Sequence, residues 1–117
     1  MSDLRTLDDD LNQLILAGKA LDAFDKYYAD DVLMQENLDE PRRGKKTNRD
    51  YEVEFFSSVE KVDTFRLLSS AVGDDVSFSE WEFDVTLKNG TRVQQTQVAR
   101  RRWKGGLVVD ERFYHKP

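Results

Sequence analysis

The segment YYADDVLMQEN, residues 27–37, decides how the rest of the chain is read. An aromatic pair and two aspartates stand directly ahead of a short apolar run, Val32-Leu33-Met34, which closes with Gln35, Glu36 and Asn37. The run is too short for a helix and reads as a strand. A chain that can leave its acids in solvent has set a carboxylate and two amides at the end of a buried strand, as at the mouth of a pocket.

Upstream of this segment, Leu4, Leu7, Leu11 and Leu14 form one stripe of an amphipathic helix, with Asp8-Asp9-Asp10 interleaved on its wet faces and Gly18 as its stop. Leu21, Phe24 and Tyr28 repeat the spacing in a second helix from about residue 19, and Ala29-Asp30-Asp31 reads as the turn that ends it. Downstream, LDEPRRGKK (38–46) is a loop by its Pro, Gly and charge content. Thr47 with Asp50 gives a weak capping signal, and Tyr51, Phe55, Val59 and Val62 place a third helix over about 46–61. The period then changes from 3.6 to 2, and four strands follow over about 64–72, 76–88, 91–103 and 107–115. Asn89-Gly90 and Gly105-Gly106 are hairpin turns, because both suit residues at positive φ. The order ααβαββββ, without repeat or linker, predicts one α+β domain over 1–117: a curved antiparallel sheet wrapped over three helices.

Composition excludes several kinds of chemistry. The chain has no cysteine, which removes disulfides, thiolate catalysis and thiolate zinc sites, and its single histidine, His115, rules out a histidine metal cluster. No Gly-rich phosphate loop follows a strand, so no cofactor is expected. A net charge of −5 argues against a nucleic-acid binder. The runs RRGKK (42–46) and RRR (100–102) are the local exceptions, and the second must split between two faces of a strand. No apolar run reaches the roughly 18 residues of a membrane span, and MSDLRTLDDD has no signal-peptide core, so no membrane and a cytoplasmic location are expected. Thirteen aromatic residues (2 Trp, 4 Tyr, 7 Phe) supply the mass of one core.

The element order, YYADDVLMQEN after two helices, Gly44 opening the third, and the closing run QVARRRWKGGLVVDERFYHK together resemble the NTF2-like superfamily, and within it the SnoaL-like and ketosteroid-isomerase-like proteins. The resemblance covers essentially the whole chain and implies a cone-shaped fold. It is poor for function, since members include isomerases, polyketide cyclases, dehydratases and binding modules. Matching YADD to YADD puts Glu36 where the isomerases carry the base that removes a proton alpha to a carbonyl. Their two enolate-binding acids do not carry over: the matching positions fall near Leu11 and Ala99, which argues against a steroid isomerase. The resemblance also implies a homodimer through the sheet.

Two-residue turns would pair Trp81 with Val98, Glu82 with Gln97, Arg100 with Glu111 and Arg101 with Asp110. Burial then favours the face of Trp81, Phe83, Val85, Val98, Arg100, Glu111 and Phe113 as the one packed on the helices. The isomerase pattern instead puts Gln97, Arg112 and Tyr114 in the cone. A β-bulge would exchange faces along a strand and let both hold in part. The pocket candidates are therefore Trp81, Gln97, Arg100, Glu111, Arg112 and Tyr114, beside Glu36 as catalytic base, while His115 reads as exposed and inert. Glu36 reads equally as a strand-end carboxylate paired with RRGKK, and Trp81 and Trp103 as core or interface aromatics. Three functions stay open: an isomerase or cyclase acting on a small apolar carbonyl compound, a noncatalytic pocket for such a ligand, and a dimeric interaction module.

Overall fold

A computed structural model describes residues 3–116. Helix α1 (Leu4–Leu16) opens on Asp3, whose carboxylate accepts the Thr6 N–H at 2.9 Å. It closes at Gly18, φ +79°, where Lys19 and Gly18 N–H donate back to the carbonyls of Leu14 and Ile15 at 2.9 and 3.1 Å. That pair of hydrogen bonds is the glycine-terminated end the sequence asked for. Then come α2 (Ala20–Tyr27), β1 (Tyr28–Glu36), β2 (Arg42–Arg43), α3 (Lys45–Ser58), β3 (Val59–Val72), β4 (Val76–Leu87), β5 (Arg92–Lys104) and β6 (Leu107–His115). The six strands form one sheet in the order β2-β1-β6-β5-β4-β3, antiparallel except where β1 runs parallel to β6. The α+β cone of three helices and a curved, open sheet is the expected fold.

Local readings needed correction where tertiary pairing outweighed propensity. Ala29-Asp30-Asp31 is strand and not turn: Tyr28 and Ala29 are buried, both aspartates are exposed, and the register against β6 shifts between Tyr28 and Leu33. The shift lets two successive acids point outward without ending the strand. Helix α3 stops at Ser58, three residues early, because Val59 and Val62 pair with Leu87 and Val85 of β4, where β-branched residues pack well. The loop after β1 contributes Arg42–Arg43 as a short edge strand. Gly44, φ +101°, opens α3 in place of the Thr47 cap; its N–H donates to the Val32 carbonyl at 2.8 Å.

The hairpin registers carry the main correction. The β4–β5 turn holds three residues, Lys88, Asn89 and Gly90, with Gly90 at φ +89°. Leu87 N–H donates to the Thr91 carbonyl at 2.8 Å, so Trp81 faces Gln97, Ser79 faces Ala99 and Ser77 faces Arg101. In the β5–β6 hairpin the two-residue turn is present, with Lys104 opposite Leu107 and Trp103 opposite Val108, but Val109 is then skipped and Arg102 faces Asp110. That bulge pairs Arg101 with Glu111, and Arg100 with Arg112. Each change shifts a strand by one residue, and a one-residue slip exchanges the two faces of a sheet.

Leu11, Phe24, Tyr27, Tyr28, Val32, Met34, Trp103 and Val108 pack the closed end of the cone between α1, α2 and the β1–β6–β5 part of the sheet. Toward β3 and β4 the packing thins: Val53, Phe55 and Phe56 of α3 and Val62 and Phe65 of β3 stay exposed. Phe55 and Phe56 of α3, with Val62 and Phe65 of β3, thus face a space and not a filled core.

Candidate functional site

That space is a cavity of about 580 Å³ between α1, α2, α3 and the concave face of the sheet. Its walls are aromatic and aliphatic, including Phe24, Phe56, Phe65, Trp81, Phe83 and Phe113. Phe65 lies tilted against Trp81, with ring centroids 5.3 Å apart. A volume of this size, apolar with a few convergent polar groups, is typical of a small-molecule site.

The deep end is sealed by a buried polar network. Arg101, 2% exposed, donates from Nε to Glu111 Oε2 at 2.8 Å and from Nη1 to Asp8 Oδ1 at 2.9 Å and Asn12 Oδ1 at 2.7 Å. Tyr28 donates its hydroxyl to Glu111 Oε1 at 2.5 Å, and Ser77 donates to Asp8 at 2.7 Å. Asn12 donates to Ser79 at 3.0 Å, and the Trp103 indole donates to Ser77 at 2.9 Å. Among the described residues no buried side-chain nitrogen or oxygen lacks a partner. Burial lifts the Glu111 carboxyl above its usual range despite Arg101, and burial with the neighbouring Glu111 charge holds the Tyr28 phenol well above its own. Asp8 shows that the acidic run of α1 is not wholly on a wet face. It lies on the stripe of Leu4 and Leu11 and is fully buried because Arg101 meets it.

At the mouth, Glu36 ends β1 between the Arg42 guanidinium and the His115 ring. Arg42 Nη2 is 3.5 Å from Glu36 Oε2, and His115 Nε2 is 3.4 Å from Glu36 Oε1. Arg42 is held in turn by Asn48 Oδ1 at 3.1 Å and stacks over the Tyr51 ring, 3.7 Å from its centroid. Asn48, fully buried, donates to the carbonyls of Arg42 and Gly44, so β2 and the start of α3 are fixed as one piece around the pair. Glu52 stands on the α3 wall without a hydrogen-bond or ion-pair partner among the described residues. Burial and the Glu111 charge, with Glu36 adding and Arg42 opposing, raise its carboxyl to about 7.

Of the residues singled out in the sequence, Glu36, Trp81, Gln97 and Glu111 line the cavity. Gln97 accepts from Gln95 Nε2 at 3.4 Å, which leaves its own amide nitrogen for the cavity. Arg100, Arg112 and Tyr114 lie on the convex face: Arg100 pairs with Asp110 at 3.1 Å, and Arg112 donates to Gln35 at 2.9 Å and to Tyr114 at 3.3 Å. Arg100 therefore does not face Glu111, and Arg101 does not face Asp110; the Val109 bulge shifted the pairing by one residue. His115 is half-buried on the cavity wall, not exposed. Sequence reading missed Glu52, although Glu52, Phe56 and Val59 repeat at i, i+4 and i+7. It also missed the Arg101 network, which depends on the register. Among the described residues no group of acids and histidine is arranged to hold a metal ion, and no helix is long and apolar enough to cross a membrane.

Known proteins are similar along the full length. A protein of Mesorhizobium loti, provisionally named a SnoaL-like polyketide cyclase, superposes with a TM-score of 0.87 and 27% identity, covering 97% of this chain and 99% of its own. A provisionally named isomerase of Bacillus subtilis superposes at 0.80 with 14% identity, covering 100% of this chain and 91% of its own. An NTF2-like protein of Burkholderia pseudomallei, of unknown function, also reaches 0.80, with 13% identity over 99% and 92% of the two chains. The last two show the fold alone. No curated protein matches the chain. The SnoaL-like domain family matches over residues 11–111, which include Glu36, Glu52, Arg101 and Glu111, while Asp8 and His115 lie just outside them. The chain belongs to that SnoaL-like family.

Proposed function

We propose that the chain binds a small apolar molecule in its cone and, as an enzyme, transfers a proton alpha to a carbonyl with Glu36 as the base, in the manner of an isomerase or cyclase. The observation that carries this reading is the 580 Å³ cavity with Glu36 and the Gln97 amide on a wall made largely of aromatic and aliphatic side chains. In this reading Gln97 donates to the carbonyl oxygen as charge develops there, and Arg42 and His115 fix the Glu36 carboxylate at the mouth. Tyr114, the other donor weighed from sequence, lies on the convex face and has no part in it.

A noncatalytic pocket is the second reading. It is favoured by the floor, where Leu11 and Ala99 put apolar surface at the positions from which isomerases of this fold bind the enolate. Proton exchange at the alpha carbon of apolar cyclic ketones in heavy water separates the two. The catalytic reading predicts exchange above the buffer rate that falls by about 10²-fold or more in Glu36→Gln. Ketones that bind without any gain in exchange leave the binding reading.

A further inference from the structure

Resting on the reading of the cone as a ligand site, we infer that its ligand is an apolar molecule carrying a protonated amine, held by the Glu52 carboxylate. The argument is one of charges left over. Facing the cavity are Glu36 on β1, Glu52 on α3, Glu60 and Lys61 on β3, Arg101 on β5, and Glu111 and His115 on β6. Arg101 is consumed at the floor by Asp8 and Glu111. Arg42 and His115 are taken by Glu36, and Lys61, largely exposed, pairs with Asp63 at 3.0 Å. Neither phenol nearby supplies a counter-charge: Tyr28 donates to Glu111 and Tyr51 stacks under Arg42. Glu60 is exposed at the rim. Glu52 alone faces the apolar space with nothing opposite it.

An anionic ligand would meet Glu52 and Glu111 with the same sign, and a neutral one would leave Glu52 unpaired in a partly dry site. An ammonium supplies the missing partner, and the aromatic faces of Phe24, Phe56 and Trp81 add attraction for a cation on an apolar body. The raised carboxyl of Glu52 agrees in sign: below about 7 it holds a proton and has no charge to offer, and above that value it becomes the counter-ion. Amine binding therefore strengthens as pH rises through that range and releases a proton when it occurs below it.

Adamantanamine, adamantanol and adamantanecarboxylate share one apolar cage and differ in charge, so titration calorimetry with the three isolates the term. The amine is expected to bind at least about tenfold more tightly than the alcohol at about pH 8, and the carboxylate most weakly. The amine-to-alcohol ratio should fall toward one at about pH 5.5, where Glu52 is protonated, and in Glu52→Gln. Because histidine also changes charge near neutrality, His115→Gln is the control, expected to keep the pH dependence of the ratio. Alcohol bound as tightly as amine at the higher pH overturns the inference and leaves the ligand-site reading intact. Failure of all three to bind overturns the ligand-site reading itself.

Discussion

Arg101 is the residue on which the closed end depends. It is fully buried, and its guanidinium joins Asp8 of α1 to Glu111 of β6. Removing one member of such a cluster costs far more than the cluster contributes, because the charges left behind stay dry and unpaired. Arg101→Met is therefore expected to lower stability by about 3–5 kcal/mol, read as a drop in the urea midpoint. A loss below about 1 kcal/mol would mean that Asp8 and Glu111 simply take up protons. The arginine was visible in the sequence as the centre of RRR, but its role was not. Its partner on β6 depends on whether Val109 is bulged, and its neighbour on β4 on whether the turn at Asn89 holds two residues or three; Asn-Gly suits both turn lengths.

At the scale of elements, β1, β2 and the start of α3 act as one unit that sets the mouth. Asn48 ties them together through two backbone carbonyls and the Arg42 side chain, and Arg42 reaches Glu36. Asn48→Ala removes the donor to the Arg42 carbonyl in a partly buried place, at an expected cost of about 1 kcal/mol. It also frees Arg42, so ligand affinity should weaken alongside the thermal midpoint; an affinity unchanged in the folded variant would contradict the role given to this unit. The elements themselves were largely legible, since leucine spacing gave α1, Gly18 its stop, and alternating residues the long strands. Their junctions were not. Val59 and Val62 continue the α3 stripe as well as they begin β3, and only pairing with β4 decides between the two. The YADD acids looked like a turn because a bulged strand and a turn share their polar residues.

At the scale of the whole molecule, the sheet has two unlike faces. The concave face carries the cavity, and the convex face carries Arg100, Arg112 and the exposed aromatics Phe78 and Tyr114. Fold resemblance predicts a homodimer through that sheet; sedimentation at micromolar concentration should give twice the 13.7 kDa chain, and a monomer would contradict it. Shape was readable because period and order suffice for it, whereas the cavity lining needed registers that no period contains. The claim on which the rest stands is that the cone admits a small apolar molecule. Amide and indole NMR during titration with adamantanol tests it most directly. The prediction is that the Trp81 indole and the Ala99 amide shift in a saturable way, while the Trp103 indole, locked to Ser77 at the closed end, does not. Resonances of the cone that stay fixed at saturating probe would contradict the account.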